Sequence, residues 1–163
     1  MVPKFKAVKH TSADIVKIIS GGVVLWQQKL ENIALGKRVR TTLTSYGYGP
    51  EYVVDGIKDD DTKRWISASN SRPARLIIEL GAVYRITEIR IYSGEQNGTT
   101  GFIPYVSINT ENSVESTIVE DGDVNQYESV YMIKQPCETD KLCFNFRAGF
   151  NCIYEIEVYG EAI

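Results

Sequence analysis

Histidine is nearly absent from this chain of 163 residues: there is one, His10. Ser-His-Asp and Cys-His mechanisms run through an imidazole that takes and returns a proton. His10 sits in an N-terminal arm, away from any acid or nucleophile pattern, so those chemistries are set aside. Cysteine is also scarce, with Cys137, Cys143 and Cys152 and no CxxC pair. An odd count leaves at least one thiol unpaired, and with a single histidine no zinc site can be assembled. We read all three thiols as reduced, against a Cys143–Cys152 or Cys137–Cys143 bridge. There is no basic excess: 18 Lys and Arg stand against 21 Asp and Glu, for a net charge of −3. A nucleic-acid face needs clustered Lys and Arg, so no nucleic-acid partner is expected. The longest uncharged apolar stretch, Ile18 to Trp26, is too short to span a bilayer and is interrupted by Ser20-Gly21-Gly22. It lacks the small-residue cleavage pattern of a signal peptide. Neither membrane insertion nor secretion by the chain itself is therefore expected.

Helical periodicity is missing too. Beyond Asn32 no segment repeats its apolar residues every 3.6 positions. What is there instead is β texture. Hydrophobic residues make up 43% of the chain, enough for a full core. Residues 1–12 read as a basic, extended arm. Ile15-Val16-Lys17-Ile18-Ile19 and Val23-Val24-Leu25-Trp26 then flank Gly21-Gly22, a hairpin signature. A two-stranded hairpin is marginal in water, so it must pack on the main domain, on a copy of itself or on another protein. Residues 1–30 are accordingly assigned to an arm and attachment hairpin, and 31–163 to a separate domain.

In that domain short strands recur with turn residues between them. They are read at Arg38 to Leu43, Ala74 to Gly81, Tyr84 to Tyr92, Ile103 to Asn109, Ser116 to Val119, Glu128 to Ile133, Lys141 to Arg147 and Ile153 to Tyr159. An acidic turn is read at Glu120 to Asp123. Many short strands, Gly-rich turns and no intervening helices indicate an all-β antiparallel sandwich of about eight strands in two sheets.

One stretch is not a strand. Val53 to Ser67 opens with Asp55-Gly56, a turn signal, and continues with Asp59, Asp60 and Asp61. Adjacent carboxylates repel. Either water with Lys58, Lys63 and Arg64 offsets them, or a hard cation does; calcium takes several oxygen ligands from a curled loop. Trp65 then pins the loop to an apolar core.

Several motifs fall in register: Asn32-Ile-Ala-Leu-Gly-Lys37, Val54-Asp55-Gly56 with Thr62 and Trp65, Arg75-Leu-Ile-Ile-Glu-Leu-Gly81, Ile86-x-x-Ile89-x-Ile91, and Tyr154-Glu-Ile-Glu-Val-Tyr-Gly160. In this order they resemble the discoidin family, which includes the C-type domains of coagulation factors and bacterial galactose-binding modules. The resemblance covers about residues 32 to 161 and implies a jelly-roll β-sandwich with its termini close together. It also implies a structural calcium ion held by Asp55, the backbone near Lys58 to Asp60, Thr62 and Glu155. The family's Thr-x-Trp is lengthened here to Thr62-Lys63-Arg64-Trp65, so Asp60 or Asp61 can take the place of the threonine.

Ligands of such sandwiches meet loops at one end, because loops vary on a rigid frame. A sugar needs an aromatic face for its C–H side and planar hydrogen-bonding groups for its hydroxyls. Tyr46, Tyr48, Phe102 and Phe150 are the candidate platforms. Asn70, Arg72, Gln96, Asn97, Arg147 and Asn151 are the candidate hydrogen-bonding groups. Each has a structural alternative: Tyr46 and Tyr48 as covers of the sandwich end, Phe102 as core, Arg72 as a partner of the aspartates. The histidine that family sugar sites often use is missing. Phospholipid binding ranks lower, because these loops lack apolar spikes with basic rims.

The hairpin segment Ile18 to Trp26 is similar to a short segment of tail and baseplate proteins of bacterial viruses. The function expected from these resemblances is a non-catalytic module that recognises host cell-surface carbohydrate. It would sit on a phage tail, fibre or decoration protein, attach to other virion proteins through the hairpin, and form a homo-oligomer. The alternative is a purely structural virion protein whose sandwich makes protein–protein contacts without binding sugar. An enzyme is not expected, since paired carboxylates must face each other across a cleft at a set separation to do acid–base work. Here they cluster on one loop.

Overall fold

The computed structural model describes the backbone of residues 15–20, 23–29, 31–44, 47–67, 72–94, 106–110, 117–122 and 127–163. Side chains are described from residue 31 onward within these ranges, apart from 117–122 and 134–136. The chain divides into two compact units, Met1–Glu31 and Asn32–Ile163. In the first, β1 (Ile15–Ser20) and β2 (Val23–Lys29) pair antiparallel, with Ile18 opposite Trp26 and Ser20 opposite Val23.

The second unit contains β3 (Arg38–Thr41), β4 (Trp65–Ile66), β5 (Ala74–Ser93), β6 (Val106–Thr110), β7 (Thr117–Gly122), β8 (Glu128–Phe146) and β9 (Cys152–Ala162), all paired antiparallel. Among the described residues the only helical turn is the 3-10 turn Pro50–Val54, and no helix is long and apolar enough to cross a membrane. The expected all-β antiparallel sandwich is what forms.

Two long strands build both layers. Residues 80–83 of β5 interrupt its register with β8, and Gly81 there has a φ of 84°, a conformation that favours glycine. The first half of β5 pairs with β3 and with the C-terminal end of β8, which in turn pairs with β6. The second half pairs with β9 and with the N-terminal part of β8, while β9 also pairs with β4. So β5 and β8 each cross from one layer to the other. Leu76, Ile78, Phe144, Phe146, Val106 and Ile108 from the first layer join Ile86, Ile89, Ile91, Ile153, Ile156 and Val158 from the second in one buried cluster. Each such side chain contributes roughly 1.5–3 kcal/mol of burial. Trp65 closes one end of the core, its ring centroid 5.6 Å from that of Phe146.

The crossing gives the sandwich two unlike poles. The bends at 80–83 and at Asp140 mark one. At the other, Ala74 pairs with Phe146, Phe146 with Val106, Ile66 with Cys152 and Ser93 with Ile153. Connections 42–49, 67–73, 94–105 and 147–151 therefore all start or finish at that second pole. Asn32 bridges to Tyr159, and the Ile163 N–H donates to the Val83 carbonyl at 3.3 Å. Both ends of the sandwich thus lie toward the bends.

The strand count differs from expectation for physical reasons. Ala74 to Gly81 and Tyr84 to Tyr92 are one strand, because the ladder with β8 resumes at Tyr84 beyond the bend at Gly81. Glu128 to Ile133 and Lys141 to Arg147 likewise fuse into β8. β4 is too short to show alternation in the sequence. The acidic turn read at Glu120 to Asp123 lies largely in strand, since β7 extends to Gly122. All three cysteines are free and buried, as read.

Candidate functional site

The acidic loop takes its shape from its residue types. Asp55 Oδ1 accepts the Ile57 N–H at 2.9 Å and Gly56 adopts a φ of 83°. Glu155, arriving on β9, is fully buried against this turn. Its Oε2 accepts the Gly56 N–H at 3.1 Å, and its Oε1 accepts the Asn32 amide at 3.4 Å. Burial pushes the Glu155 carboxyl up to about 8; the Gly56 bond opposes this, and the charges of Asp55 and Glu157 add to it.

The three aspartates are handled separately. Asp60 Oδ1 accepts both the Thr62 hydroxyl, at 2.6 Å, and the Thr62 N–H, at 2.8 Å. The hydroxyl bond is the main reason its carboxyl lies below the usual range. Asp61 Oδ1 accepts from Arg64 Nη1 at 2.8 Å and from the Tyr154 hydroxyl. Asp59 is exposed to water. Lys58 serves a different carboxylate: its Nζ lies 2.7 Å from Glu157 Oε1 and 4.2 Å from the Tyr92 ring centroid. Burial alone would raise the Glu157 carboxyl, but the hydrogen bonds from Lys58, Tyr159 and Tyr92 and the charge of Lys58 together outweigh it and hold the group low. The arginine at the aspartates is thus Arg64, whereas Arg72 is exposed where the chain enters β5.

Of the expected calcium ligands, the structure brings Asp55 and Glu155 together around Gly56. Asp60 and Thr62 spend their facing oxygens on each other. Among the described residues, no group of three or more His, Cys, Asp or Glu side chains is placed to hold a metal. Asp55 and Glu155 thus face one turn, whereas Asp60 and Thr62 are paired with each other apart from it.

At the loop pole, Trp65 is buried and its Nε1 donates to the Leu43 carbonyl at 3.1 Å. Thr44 Oγ1 donates to the Tyr48 carbonyl at 2.7 Å. Tyr48 is half-buried, with the Arg64 guanidinium carbon 5.7 Å from its ring centroid. Ser67 ties two connections together: its Oγ donates to the Gly149 carbonyl and accepts the Asn151 N–H, both at 2.9 Å. The Asn151 side chain is buried and donates to the carbonyls of Gly149 at 3.1 Å and Arg147 at 3.4 Å. It therefore organises the loop rather than presenting its amide to solvent. On this frame Phe150 stands 51% exposed, and Arg147 is exposed on the same loop. Tyr46, Asn70, Gln96, Asn97 and Phe102 lie outside the described residues.

A model of the F5/8 type C domain matches residues 38–153. The chain belongs to this family. Solved structures share the sandwich of this F5/8 type C domain. The lectin domain of lectinolysin, complexed with Lewis B antigen, has a TM-score of 0.69 at 18% identity, over 81% of this chain and 98% of that one. A fucose binding module of Streptococcus pneumoniae has a TM-score of 0.69 at 15% identity, over 82% and 97%. Chitosan-binding module 2 of a Paenibacillus sp. IK-5 chitosanase/glucanase, in complex with chitotriose, has 0.66 at 21%, over 79% and 100%. At these identities the likeness is one of fold. No curated protein matches the sequence.

Two groups at the F5/8 type C loop pole escape the sequence. Arg64 reads as one of several cations near the aspartates, yet it is buried between Asp61 and Tyr154. Tyr154, Tyr127 and Tyr92 form a chain of rings, in that order, with centroids 6.2 Å and 5.8 Å apart. Alternation along β9 places Tyr154 next to Glu155, but only the β5–β9 register brings it to Gly94.

Proposed function

We propose that this F5/8 type C domain is a non-catalytic carbohydrate-binding module that recognises cell-surface glycans through its loop pole. The observation that carries this reading is Phe150. It is a large apolar ring left 51% exposed on a loop whose backbone is fixed by Ser67 and Asn151. An exposed aromatic face and an exposed arginine on one loop are the residue types a pyranose needs, a surface for C–H groups and a planar group for hydroxyls. Lewis B antigen, fucose and chitotriose are the ligands named for solved relatives, and they support the class rather than one sugar. The test is a glycan array probed with a multimerised form of the full chain. Hits of micromolar to millimolar affinity are expected; an array without hits sinks the reading.

Two finer parts belong to the same proposal. A structural calcium ion is held by the carboxylates of Asp55 and Glu155, supported by the buried Glu155 carboxylate lying against the Asp55-Gly56 turn with the Asp55 charge nearby. The hairpin of β1 and β2 fixes the domain to a virion, tail or fibre assembly and to further copies of itself. The support for this attachment is the resemblance of Ile18 to Trp26 to tail-protein segments, together with the marginal stability of a two-stranded hairpin standing alone. Deleting residues 1–30 should then reduce the mass measured by light scattering; an unchanged oligomeric state would exclude self-association through the hairpin.

A further inference from the structure

We infer that Arg64 is the positioning residue of the recognition loops, setting the Tyr48 loop against the acidic loop and β9. Only the binding arm of its test rests on the carbohydrate-binding reading. Arg64 is 7% exposed and immediately precedes the core residue Trp65. Its Nη1 donates to Asp61 Oδ1 at 2.8 Å and to the Tyr154 hydroxyl oxygen at 3.2 Å. The Tyr154 hydroxyl donates in turn to the same Asp61 oxygen, closing a triangle of hydrogen bonds. The guanidinium carbon lies 5.7 Å from the ring centroids of both Tyr48 and Tyr154, within cation–π range.

One side chain is thus held from three directions: by the acidic loop, by β9 and by connection 42–49. Tyr154 carries the contact to a further connection. A Cβ placed on Gly94 would lie 1.9 Å from Tyr154 Cε2, so the chain leaves β5 through a residue that must lack one. The residues after Arg64 extend the same framework. Trp65 bonds the Leu43 carbonyl, and Ser67 bonds Gly149 and Asn151. Segment 64–67 therefore touches connections 42–49 and 147–151 directly and reaches Gly94 through Tyr154. Arg64 is too buried to serve as a main sugar contact. Its planar guanidinium suits the place because it stacks and hydrogen-bonds at once, which a lysine ammonium does not do.

The test is hydrogen–deuterium exchange on the full chain, comparing the wild type with Arg64→Lys and Asp61→Ala. The Asp61 side chain is 76% exposed, so its removal leaves the core intact. In both variants the amides of 42–49 should exchange about tenfold faster, while those of β5 and β9 keep wild-type protection. For a glycan identified on the array, Kd should weaken by about fivefold or more in Asp61→Ala with little change in Tm. Unchanged exchange in 42–49, or acceleration spread evenly over β5 and β9, would overturn the inference. Should Arg64→Lys fail to fold, Asp61→Ala decides. A wild type that binds no glycan removes the carbohydrate reading and leaves the exchange result to decide the role of Arg64.

Discussion

Glu155 Oε2 accepts the N–H of Gly56 at 3.1 Å across 99 positions of sequence, so the last strand closes a turn formed near the start of the sandwich. The carboxyl is fully buried and lies at about 8, against an ordinary value of 4.5. A folded pKa above the unfolded one means that folding takes up a proton. The stabilisation is complete below the unfolded value and is lost as pH rises through the folded one. In chelated protein, stability should therefore fall by a few kcal/mol, order of magnitude, between about pH 5 and about pH 8.5. Glu155→Gln should flatten that part of the profile. Calorimetry across the range checks it, and identical slopes for wild type and variant would contradict it.

Calcium should act in the opposite sense. A cation at Asp55 and Glu155 binds the ionised carboxylate, so its stabilising effect should be larger at about pH 8 than at about pH 5. The midpoint of thermal unfolding should rise with millimolar calcium and return on chelation, and Asp55→Ala should remove the response. No shift at either pH rules the ion out.

Trp65 tests the frame beneath the recognition loops. It is fully buried, packs 5.6 Å from Phe146 and donates to the Leu43 carbonyl at 3.1 Å. Trp65→Phe keeps most of the apolar surface and loses the hydrogen bond, for a cost of about 1–2 kcal/mol. Trp65→Ala adds a cavity and should cost about 3–5 kcal/mol. Urea denaturation distinguishes the two; a Trp65→Phe variant as stable as wild type would mean that the indole N–H contributes nothing.

Phe150 should show the reverse pattern. The ring is half exposed, so Phe150→Ala should leave stability within about 0.5 kcal/mol of wild type. Glycan affinity should drop by about tenfold or more, as for the loss of an aromatic anchor. Titration calorimetry with an array hit, read beside the melting curve, separates these effects. A variant that binds like wild type would move the site away from this loop.

Most of the frame is legible in the sequence. Alternation at Ile89 and Ile91, and at Ile156 and Val158, marks the inner face of one layer, and register shifts bring Ile86 and Ile153 to the same core. Asp55-Gly56 announces its turn through the freedom of glycine and the self-bonding of aspartate. What the sequence hid is long-range. Nothing local separates a bend at Gly81 from a chain break, because the ladder on either side is held by β8. Nothing local says that Arg64 turns inward while Lys58 reaches Glu157. Asn151 looked like a hydroxyl-binding amide and is a loop organiser, because only the fold places Ser67 beside it.

Asn32 bridges Tyr159 and Ile163 bonds Val83, both toward the bends and away from the four connections at the far pole. Within the sandwich, the chain thus enters at the end opposite the loop that carries the exposed Phe150 ring. Several copies fixed by that end would present their rings to one surface together. A weak single contact would then strengthen by about a hundredfold or more through effective concentration, without any new contact. On the proposed function, affinity for a glycan-coated surface would then be a property of spacing between copies as much as of any one loop.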